Sequence, residues 1–321
     1  MSISLNAITR RCQFQVHSQC HIRHLSRRNV SASTRIRLAY ELFSPPRGSA
    51  AGHISKGSTH ETTADIVTAS PILFLHGFLG SKRENRYISS LLARDLFRPV
   101  YAIDMRNHGD SGHHPQHNYM EMALDMKAFI EEHQLKSPSI IGHSMGAKTA
   151  LTLALNSPGL VNDIVAVDNC PIHLPLEPDF RTYLEGLGRL RHERVTSHQE
   201  ADKILKQYEK SPAIRLWLIG NLVKKSDMPY LDVRVPVETL IQAIGPLGDF
   251  PHKDNLGKKE FWGRALFLRA LQSSYIPKNA VPMINSFFPC ATIVNIDSGH
   301  WIVQERPEEF RRVVTRFLSS S

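Results

Sequence analysis

The feature that most constrains this chain is a serine flanked by glycines, placed between an apolar run and a helical pattern. Gly142-His143-Ser144-Met145-Gly146 matches G-x-S-x-G, with the apolar run Ser139–Ile141 before it and the helical pattern Ala147–Asn156 after it. A sharp strand-to-helix turn with this sequence holds its serine in strained backbone geometry at the edge of a sheet. The context therefore predicts Ser144 as a nucleophile.

Strand patterns and helical patterns alternate along most of the chain. Short apolar runs bounded by turn residues are typical of strands buried on both faces, and crossover helices between strands make the strands parallel. The predicted strands are Arg35–Phe43, Pro71–Leu75, Val100–Asp104, Ser139–Ile141, Ile164–Asp168, Ala265–Leu268 and Thr292–Ile296, and the predicted helices are Arg83–Leu96, Tyr119–Glu132, Ala147–Asn156 and Pro307–Leu318. The alternation predicts an α/β fold with a doubly wound, mostly parallel sheet.

One interval interrupts this alternation. No strand pattern occurs between Pro171 and Glu260, and helical periodicity recurs there at Phe180–Leu190, Gln199–Glu209, Ile214–Val223 and Val237–Ile244. We therefore predict a mostly helical cap over about residues 171–260, inserted between two strands of the sheet and covering the active site.

Two backbone N–H groups are candidates for an oxyanion hole. In folds built around such a turn, one donor belongs to the residue after the nucleophile, here Met145, and the other follows an earlier strand. His76-Gly77-Phe78 directly follows the predicted strand Pro71–Leu75. We therefore predict that the N–H groups of Phe78 and Met145 stabilise the oxyanion, with about 3 kcal/mol lost if one donor is removed.

The general base is expected late in the chain, because the order nucleophile, acid, base is characteristic of folds with this turn. Of the seventeen histidines, His300 is the one that lies between the last predicted strand and the last predicted helix. We therefore predict His300 as the general base.

The acid that orients the base is absent from its commonest location. That location is the loop after the next-to-last strand, but no Asp or Glu occurs from Phe261 to Ile296. Asp168 ends the preceding strand at the carboxyl edge of the sheet, where the nucleophile also lies, and it is the residue we favour. Asp297 and Asp104 remain alternatives, although Asp297 is close in sequence to the base and Asp104 occupies a strand end that more often supports a loop.

Four histidines crowd the loop after the predicted strand Val100–Asp104: His108, His113, His114 and His117. Their spacing matches no standard zinc pattern, so we predict a solvated loop, no metal and no cofactor. In the same loop, Arg106 and Asp110 are expected to bond to nearby backbone. Cys170 lacks a strand-to-helix turn and is expected to be a small buried residue rather than a nucleophile.

The positive charge of the chain is concentrated at one end. The formal net charge is +9, and residues 1–40 contain seven arginines and no Asp or Glu. A leader of this composition is typical of a mitochondrial transit peptide, which we predict for residues 1–34, followed by one catalytic domain over residues 35–321. No apolar stretch approaches the roughly 20 residues that span a bilayer. We therefore expect a soluble protein of the mitochondrial matrix, without a nucleic-acid partner.

Several motifs between Pro71 and Phe317 carry a family resemblance: HGFLGS, DMRNHGDS, IGHSMGAK, VAVDNCP and GHWIVQERP. With them the chain resembles the mitochondrial branch of α/β-hydrolases that contains abhydrolase domain-containing protein eleven and the fungal ethanol acetyltransferases. The resemblance implies the α/β-hydrolase fold and an acid at Asp168. It implies activity on small esters and acyl thioesters, including acetyl transfer from acetyl-CoA to ethanol. An alternative is a non-catalytic or moonlighting mitochondrial protein that binds or protects a partner enzyme.

Overall fold

A computed structural model gives the structure of the protein over residues 36–46, 70–254 and 259–319. The predicted transit peptide, residues 1–34, and the first residue of the predicted strand Arg35–Phe43 lie outside these ranges. Within these ranges the chain forms nine strands and ten α-helices.

The predicted elements occur in the predicted order, but the expectation of no strand between Pro171 and Glu260 is wrong, and the helices Val281–Phe287 and Ile302–Glu305 were not predicted. The strands are β1 (Tyr40–Phe43), β2 (Ile72–Leu75), β3 (Val100–Ile103), β4 (Ser139–His143), β5 (Asp163–Val167), β6 (Leu222–Lys224), β7 (Leu231–Val233), β8 (Arg264–Ala270) and β9 (Ala291–Ile296). The helices are α1 (Arg86–Leu96), α2 (Tyr119–Glu132), α3 (Met145–Asn156), α4 (Asp179–Glu193), α5 (His198–Leu205), α6 (Pro212–Ile219), α7 (Val237–Gly248), α8 (Val281–Phe287), α9 (Ile302–Glu305) and α10 (Pro307–Ser319).

Seven strands form one sheet in the order β1-β3-β2-β4-β5-β8-β9. The pair β1–β3 is antiparallel and the other neighbours are parallel. This is the doubly wound, mostly parallel sheet predicted from the alternation of elements. The carboxyl ends of β4, β5 and β8 are adjacent, so the residues that follow these strands meet at one edge of the sheet.

The strand β2 shows how the core is divided between the two faces of the sheet. Its four residues are fully buried, and successive side chains point to opposite faces. Ile72 and Phe74 pack with α1 and α10, where Phe74 stacks on Phe310 with 6.1 Å between ring centroids. Leu73 and Leu75 pack with α2 and α3 on the other face. Burial on both faces explains why every position of β2 is apolar.

The segment between β5 and β8, residues 171–260, is called the cap segment below. It contains α4 to α7, but the prediction of helix at Ile214–Val223 is wrong at its end. The helix α6 ends at Ile219, and β6 then pairs with β7 in an antiparallel hairpin. The short apolar run suits helix and strand equally, and pairing with the next segment of the chain decides between them.

Candidate active site

Ser144 lies between β4 and α3 in a backbone conformation that few residues other than glycine adopt. Its φ is 53° and its ψ is −111°, and such a conformation costs about 1–3 kcal/mol. The Ser144 N–H donates to the Val167 carbonyl at 2.9 Å. A Cβ on Gly146 would lie 2.5 Å from the Leu75 carbonyl oxygen, so close packing of neighbouring chain requires glycine there. These contacts hold the serine in the strained turn that G-x-S-x-G predicts.

Asp168 and His300 come together beyond the carboxyl ends of the strands. Asp168 directly follows β5 and is fully buried, and its Oδ2 lies 2.7 Å from His300 Nδ1. Its Oδ1 accepts the Ala270 N–H at 3.1 Å, and its own N–H donates to the Leu268 carbonyl at 2.9 Å. Because an ionised carboxylate only accepts hydrogen bonds, the proton of a neutral His300 ring is on Nδ1. Nε2 then keeps the lone pair that a general base needs.

The two alternative acids make other contacts. Asp104 is fully buried, and its carboxylate accepts the N–H of Lys82 at 2.7 Å and the N–H of Asp110 at 2.8 Å. Asp297 Oδ1 accepts from the Gln272 side chain at 3.0 Å. Among the residues that the structure describes, no hydrogen bond joins either carboxylate to the predicted base. Asp104 therefore supports the loops around it.

Two residues that contact His300 were not predicted from the sequence. Tyr275 stacks on the His300 ring with 4.3 Å between centroids and 27° between planes. His143 Nε2 lies 2.9 Å from the His300 carbonyl oxygen, to which it donates, and burial lowers the pKa of His143 to about 3. Tyr275 belongs to the loop after β8, which was considered above only as a location for the acid. An aromatic residue in a loop at the carboxyl edge of the sheet could have indicated a contact with the predicted base.

The loop that carries Phe78 is fixed from two sides. Leu79 has a φ of 60°, its N–H donates to His108 Nε2 at 3.1 Å, and its carbonyl accepts from Asn221 Nδ2 at 3.0 Å. His108 belongs to the loop after β3, and Asn221 belongs to the cap segment. The Phe78 ring packs edge-on against Phe180, with 5.5 Å between centroids. The oxyanion role of Phe78 and Met145 stays a prediction, and both residues line one pocket with Ser144.

The prediction of a solvated histidine loop is wrong for His108 and His117, which are 0% and 4% exposed. His108 Nε2 accepts the Leu79 N–H, and His76 Nε2 accepts the Met105 N–H at 3.0 Å. Burial lowers the pKa of all three rings, that of His117 to about 3. The His76 and His108 rings each accept a backbone N–H inside the protein, whereas His117 Nδ1 accepts from the Asn107 side-chain amide at 3.3 Å. Within residues 36–46, 70–254 and 259–319, no group of His, Cys, Asp and Glu side chains is arranged to hold a metal ion.

Arg106 has a structural role. It is 1% exposed, and its Nε and Nη2 donate to the two oxygens of Asp125 at 2.6 and 2.8 Å. Nη1 donates to the Gln116 carbonyl at 2.7 Å, so the predicted backbone contact is present beside a buried ion pair. The Arg106 guanidinium thus joins the loop after β3 to Asp125 of α2 and stabilises their packing.

Asp110 differs from its prediction, because its carboxylate bonds to side chains instead of backbone. It pairs with the Lys82 ammonium at 2.6 Å and with the Arg234 guanidinium of the cap segment. Cys170 is buried as predicted, and burial raises the pKa of its thiol to about 12. A thiol with that pKa stays protonated near neutral pH and is a poor nucleophile.

A narrow pocket of about 10 Å³ lies beside Ser144, which is room for about one water molecule. It is lined by Phe78, Tyr119, Ser144, Met145, Lys148, Asn169, Leu174, Leu176, Phe180, Leu247 and Tyr275. Lys148 is a buried cation whose Nζ donates to the Gly248 and Asp249 carbonyls, each at 3.2 Å, and burial lowers its pKa to about 8. Lys148 was not predicted from the sequence. Its signal is a lysine in the first turn of the helix that directly follows Ser144.

A model of the alpha/beta hydrolase fold family matches residues 70–307. The chain belongs to this family. Among solved structures, a marine microorganism esterase is similar, with a TM-score of 0.74 and 25% identity over 88% of this chain and 99% of the esterase. The match confirms the α/β-hydrolase fold predicted from the sequence.

Curated relatives confirm the predicted branch of the family. An abhydrolase domain-containing protein of Schizosaccharomyces pombe is 37% identical, over 80% of this chain and 95% of the relative. A probable alcohol acetyltransferase of Saccharomyces cerevisiae is 36% identical, over 77% of each chain. The sn-1-specific diacylglycerol lipase ABHD11 of Xenopus tropicalis is 32% identical, over 92% of this chain and 86% of the lipase. These relatives support hydrolase or acyltransferase activity.

None of the helices in the described ranges is both long enough and apolar enough to span a membrane.

Proposed function

We propose that the protein is a serine hydrolase and acyltransferase that forms an acyl-enzyme on Ser144. Its substrates are small esters and acyl thioesters, and its reactions are hydrolysis and acetyl transfer from acetyl-CoA to ethanol. The observation that carries the proposal is the 2.7 Å hydrogen bond between His300 Nδ1 and the buried Asp168 carboxylate, at the sheet edge where Ser144 also lies. Neither a metal nor a cofactor takes part in the proposed reaction.

In this mechanism, Ser144 Oγ attacks the acyl carbonyl while His300 Nε2 takes its proton. Asp168 holds the ring by its Nδ1–H and stabilises the imidazolium that forms. The N–H groups of Phe78 and Met145 bind the oxyanion, after which the leaving group departs with the proton from Nε2. Water or an alcohol then attacks the acyl-enzyme, with His300 again acting as base. Water gives the free acid, and ethanol gives ethyl acetate from an acetyl group.

The preference for small acyl groups is supported by the pocket beside Ser144. Its volume of about 10 Å³ leaves little more than the space of one water molecule next to the nucleophile. Aromatic side chains of Tyr119, Phe180 and Tyr275 form much of its wall. An acetyl group requires less displacement of these rings than a long acyl chain, so we expect short acyl groups to react faster.

The test is product analysis on the purified protein with acetyl-CoA, with and without ethanol, and with Ser144→Ala as the control. We expect acetate and free CoA without ethanol, ethyl acetate with ethanol, and no product from the variant. A fluorophosphonate probe should label the wild type and not Ser144→Ala. If the wild type neither turns over small esters nor reacts with the probe, the proposal is wrong and the partner-binding alternative gains support.

We also propose that residues 1–34 direct the protein to the mitochondrial matrix, because this segment is rich in arginine and lacks acidic residues. A fluorescent protein fused after residue 40 should accumulate in mitochondria. Replacement of Arg10, Arg11, Arg23, Arg27 and Arg28 by glutamine should leave the fusion in the cytosol. A wild-type fusion that stays outside mitochondria would refute this localisation.

A further inference from the structure

A second cavity lies between the cap segment and residues 76–81, the loop that carries Phe78 and is called the oxyanion loop below after its predicted role. Its volume is about 270 Å³, close to the roughly 300 Å³ at which ligand pockets begin. The oxyanion loop contributes Leu79 and Ser81, and the helix α6 contributes Leu216 and Trp217. The much smaller pocket beside the nucleophile holds an acyl group at most, so this cavity is the larger space available to the rest of a substrate.

The cavity adjoins both parts of the proposed reaction centre. Leu79 lines it and directly follows Phe78, the predicted oxyanion donor. On the other side, the Trp217 ring lies 6.1 Å from the Trp301 ring, and Trp301 lies 6.0 Å from the His300 ring. The cavity is therefore next to the predicted oxyanion donor on one side, and on the other side the Trp301 ring lies between its wall and His300.

Three cationic side chains lie at or near the rim of the cavity. Arg83 and Arg234 line it, and the Lys82 ammonium is paired with Asp104, which also lines it. All three cations act on one carboxylate, Asp110, which is 45% exposed, and they lower its pKa. The buried Asp104 is the second carboxylate nearby and is bonded to Lys82. The three positive charges of this group thus outnumber the two negative charges of Asp104 and Asp110. The Arg83 side chain is exposed to solvent.

The third acidic side chain at or near the cavity, Glu84, repels a bound anion only weakly. Glu84 accepts the Trp217 indole N–H at 3.0 Å and the Ser81 N–H at 3.2 Å. Burial raises the pKa of Glu84 to about 7, so a large fraction of this carboxyl is uncharged near neutral pH. The balance of charge at the rim is therefore positive.

We propose that this cavity binds the leaving-group side of an acyl thioester, with its phosphate groups at the cationic rim formed by Arg83 and Arg234. This inference rests on the proposed acyl transfer and names the part of the protein that distinguishes acetyl-CoA from simple acetate esters. Guanidinium groups suit phosphate oxygens because they donate two parallel hydrogen bonds. The apolar wall of Leu79, Leu216 and Trp217 suits the uncharged chain between thioester and phosphates.

The test compares three acetyl donors: acetyl-CoA, S-acetylpantetheine, which has the same thioester without phosphate, and p-nitrophenyl acetate. Arg83→Ala should raise KM for acetyl-CoA roughly fivefold, and Arg83→Glu should raise it more, because one charge contact with phosphate is lost or reversed. KM for the other two donors should change less than about twofold. Arg94→Ala, which removes an exposed guanidinium of α1 outside the cavity, is the matched control and should leave all three KM values unchanged.

An inhibition experiment distinguishes a site for the leaving group from a site that binds any anion. Adenosine 3′,5′-bisphosphate should inhibit acetyl-CoA turnover by the wild type, whereas inorganic phosphate at the same concentration should not. Equal inhibition by both would overturn the assignment to the leaving group. An unchanged KM for acetyl-CoA in both Arg83 variants, or an equal rise for S-acetylpantetheine, would overturn the phosphate site.

A binding measurement keeps this test separate from the proposed function. Calorimetric titration of Ser144→Ala with CoA reports the cavity without any turnover. Binding that Arg83→Glu weakens roughly tenfold or more in the Ser144→Ala background supports the site even if no ester is hydrolysed. Absence of p-nitrophenyl acetate turnover in the wild type contradicts the proposed function, and absence of CoA binding contradicts the cavity assignment.

Discussion

Replacing Asp168 by asparagine keeps the size of the side chain and reverses the proton arrangement on His300. Asp168 Oδ1 accepts the Ala270 N–H at 3.1 Å, so the amide oxygen of asparagine keeps that position and its NH2 group faces His300 Nδ1. The amide then donates to Nδ1, and the ring proton moves to Nε2. In that tautomer Nε2 has no lone pair to accept the proton of Ser144.

The size of the effect follows from the lost charge. An imidazolium and a carboxylate about 4 Å apart attract each other by about 4 kcal/mol at an effective dielectric constant of about 20. Since about 1.4 kcal/mol corresponds to a tenfold change in rate, the loss predicts a kcat lower by about 10³-fold. The wrong tautomer adds to this, and the same substitution in serine proteases lowers kcat by about 10⁴-fold. We expect a decrease of about 10³- to 10⁴-fold.

The assay is p-nitrophenyl acetate hydrolysis, with the melting temperature as a check on folding. Asp297→Asn is the matched control, because Asp297 bonds to the Gln272 side chain and should leave kcat within about twofold of the wild type. If Asp168→Asn retains more than about a tenth of the wild-type kcat, or if Asp297→Asn loses as much activity as Asp168→Asn, the assignment of the acid is wrong.

Two further predictions concern stability. Arg106→Ala leaves the buried Asp125 carboxylate without its guanidinium and should lower the free energy of unfolding by about 3–5 kcal/mol in urea denaturation. A loss below about 1 kcal/mol would contradict the buried ion pair. Burial lowers the pKa values of His76, His108 and His117 from 6.5, so the unfolded chain takes up protons more readily than the folded protein as pH falls. Their contribution to stability is therefore full above about pH 6.5 and is lost below it. Urea midpoints at pH 7.5 and 5.0 test this, and His117→Phe should make the decrease shallower; identical pH dependence in the variant would exclude His117 as a contributor.

The sequence predicts the central sheet well because its strands are buried on both faces. Such strands leave continuous apolar runs, as in β2 and in Ile164–Val167 of β5, and the crossover helices leave their own periodicity. The position of the residue after each strand then follows from the topology. This rule, together with the acid-free interval Phe261–Ile296, directs attention to Asp168, and the structure places its carboxylate on His300 Nδ1.

The parts that escaped prediction depend on contacts between distant segments. His108 and His117 stand in a polar run that looks solvated, but the ring of His108 accepts a backbone N–H from the oxyanion loop 29 residues earlier. The hairpin β6–β7 escaped prediction for a different reason, because it is short and its apolar residues continue the pattern of α6. Trp217 donates to Glu84 across 133 residues, a pairing that no local pattern indicates.

With the proposed acid Asp168 after β5, the loop after β8 has no role in the proposed proton transfer. That loop still borders the reaction centre, because Tyr275 stacks on the ring of His300 and lines the pocket beside Ser144. Changes in residues 271–277 can therefore reshape the acyl site while the pair of Asp168 and His300 stays intact. Because the residues proposed to transfer the proton and the residues that shape the acyl pocket lie on different loops, the loop after β8 is suited to the redesign of acyl selectivity. Tyr275 is the first position to vary.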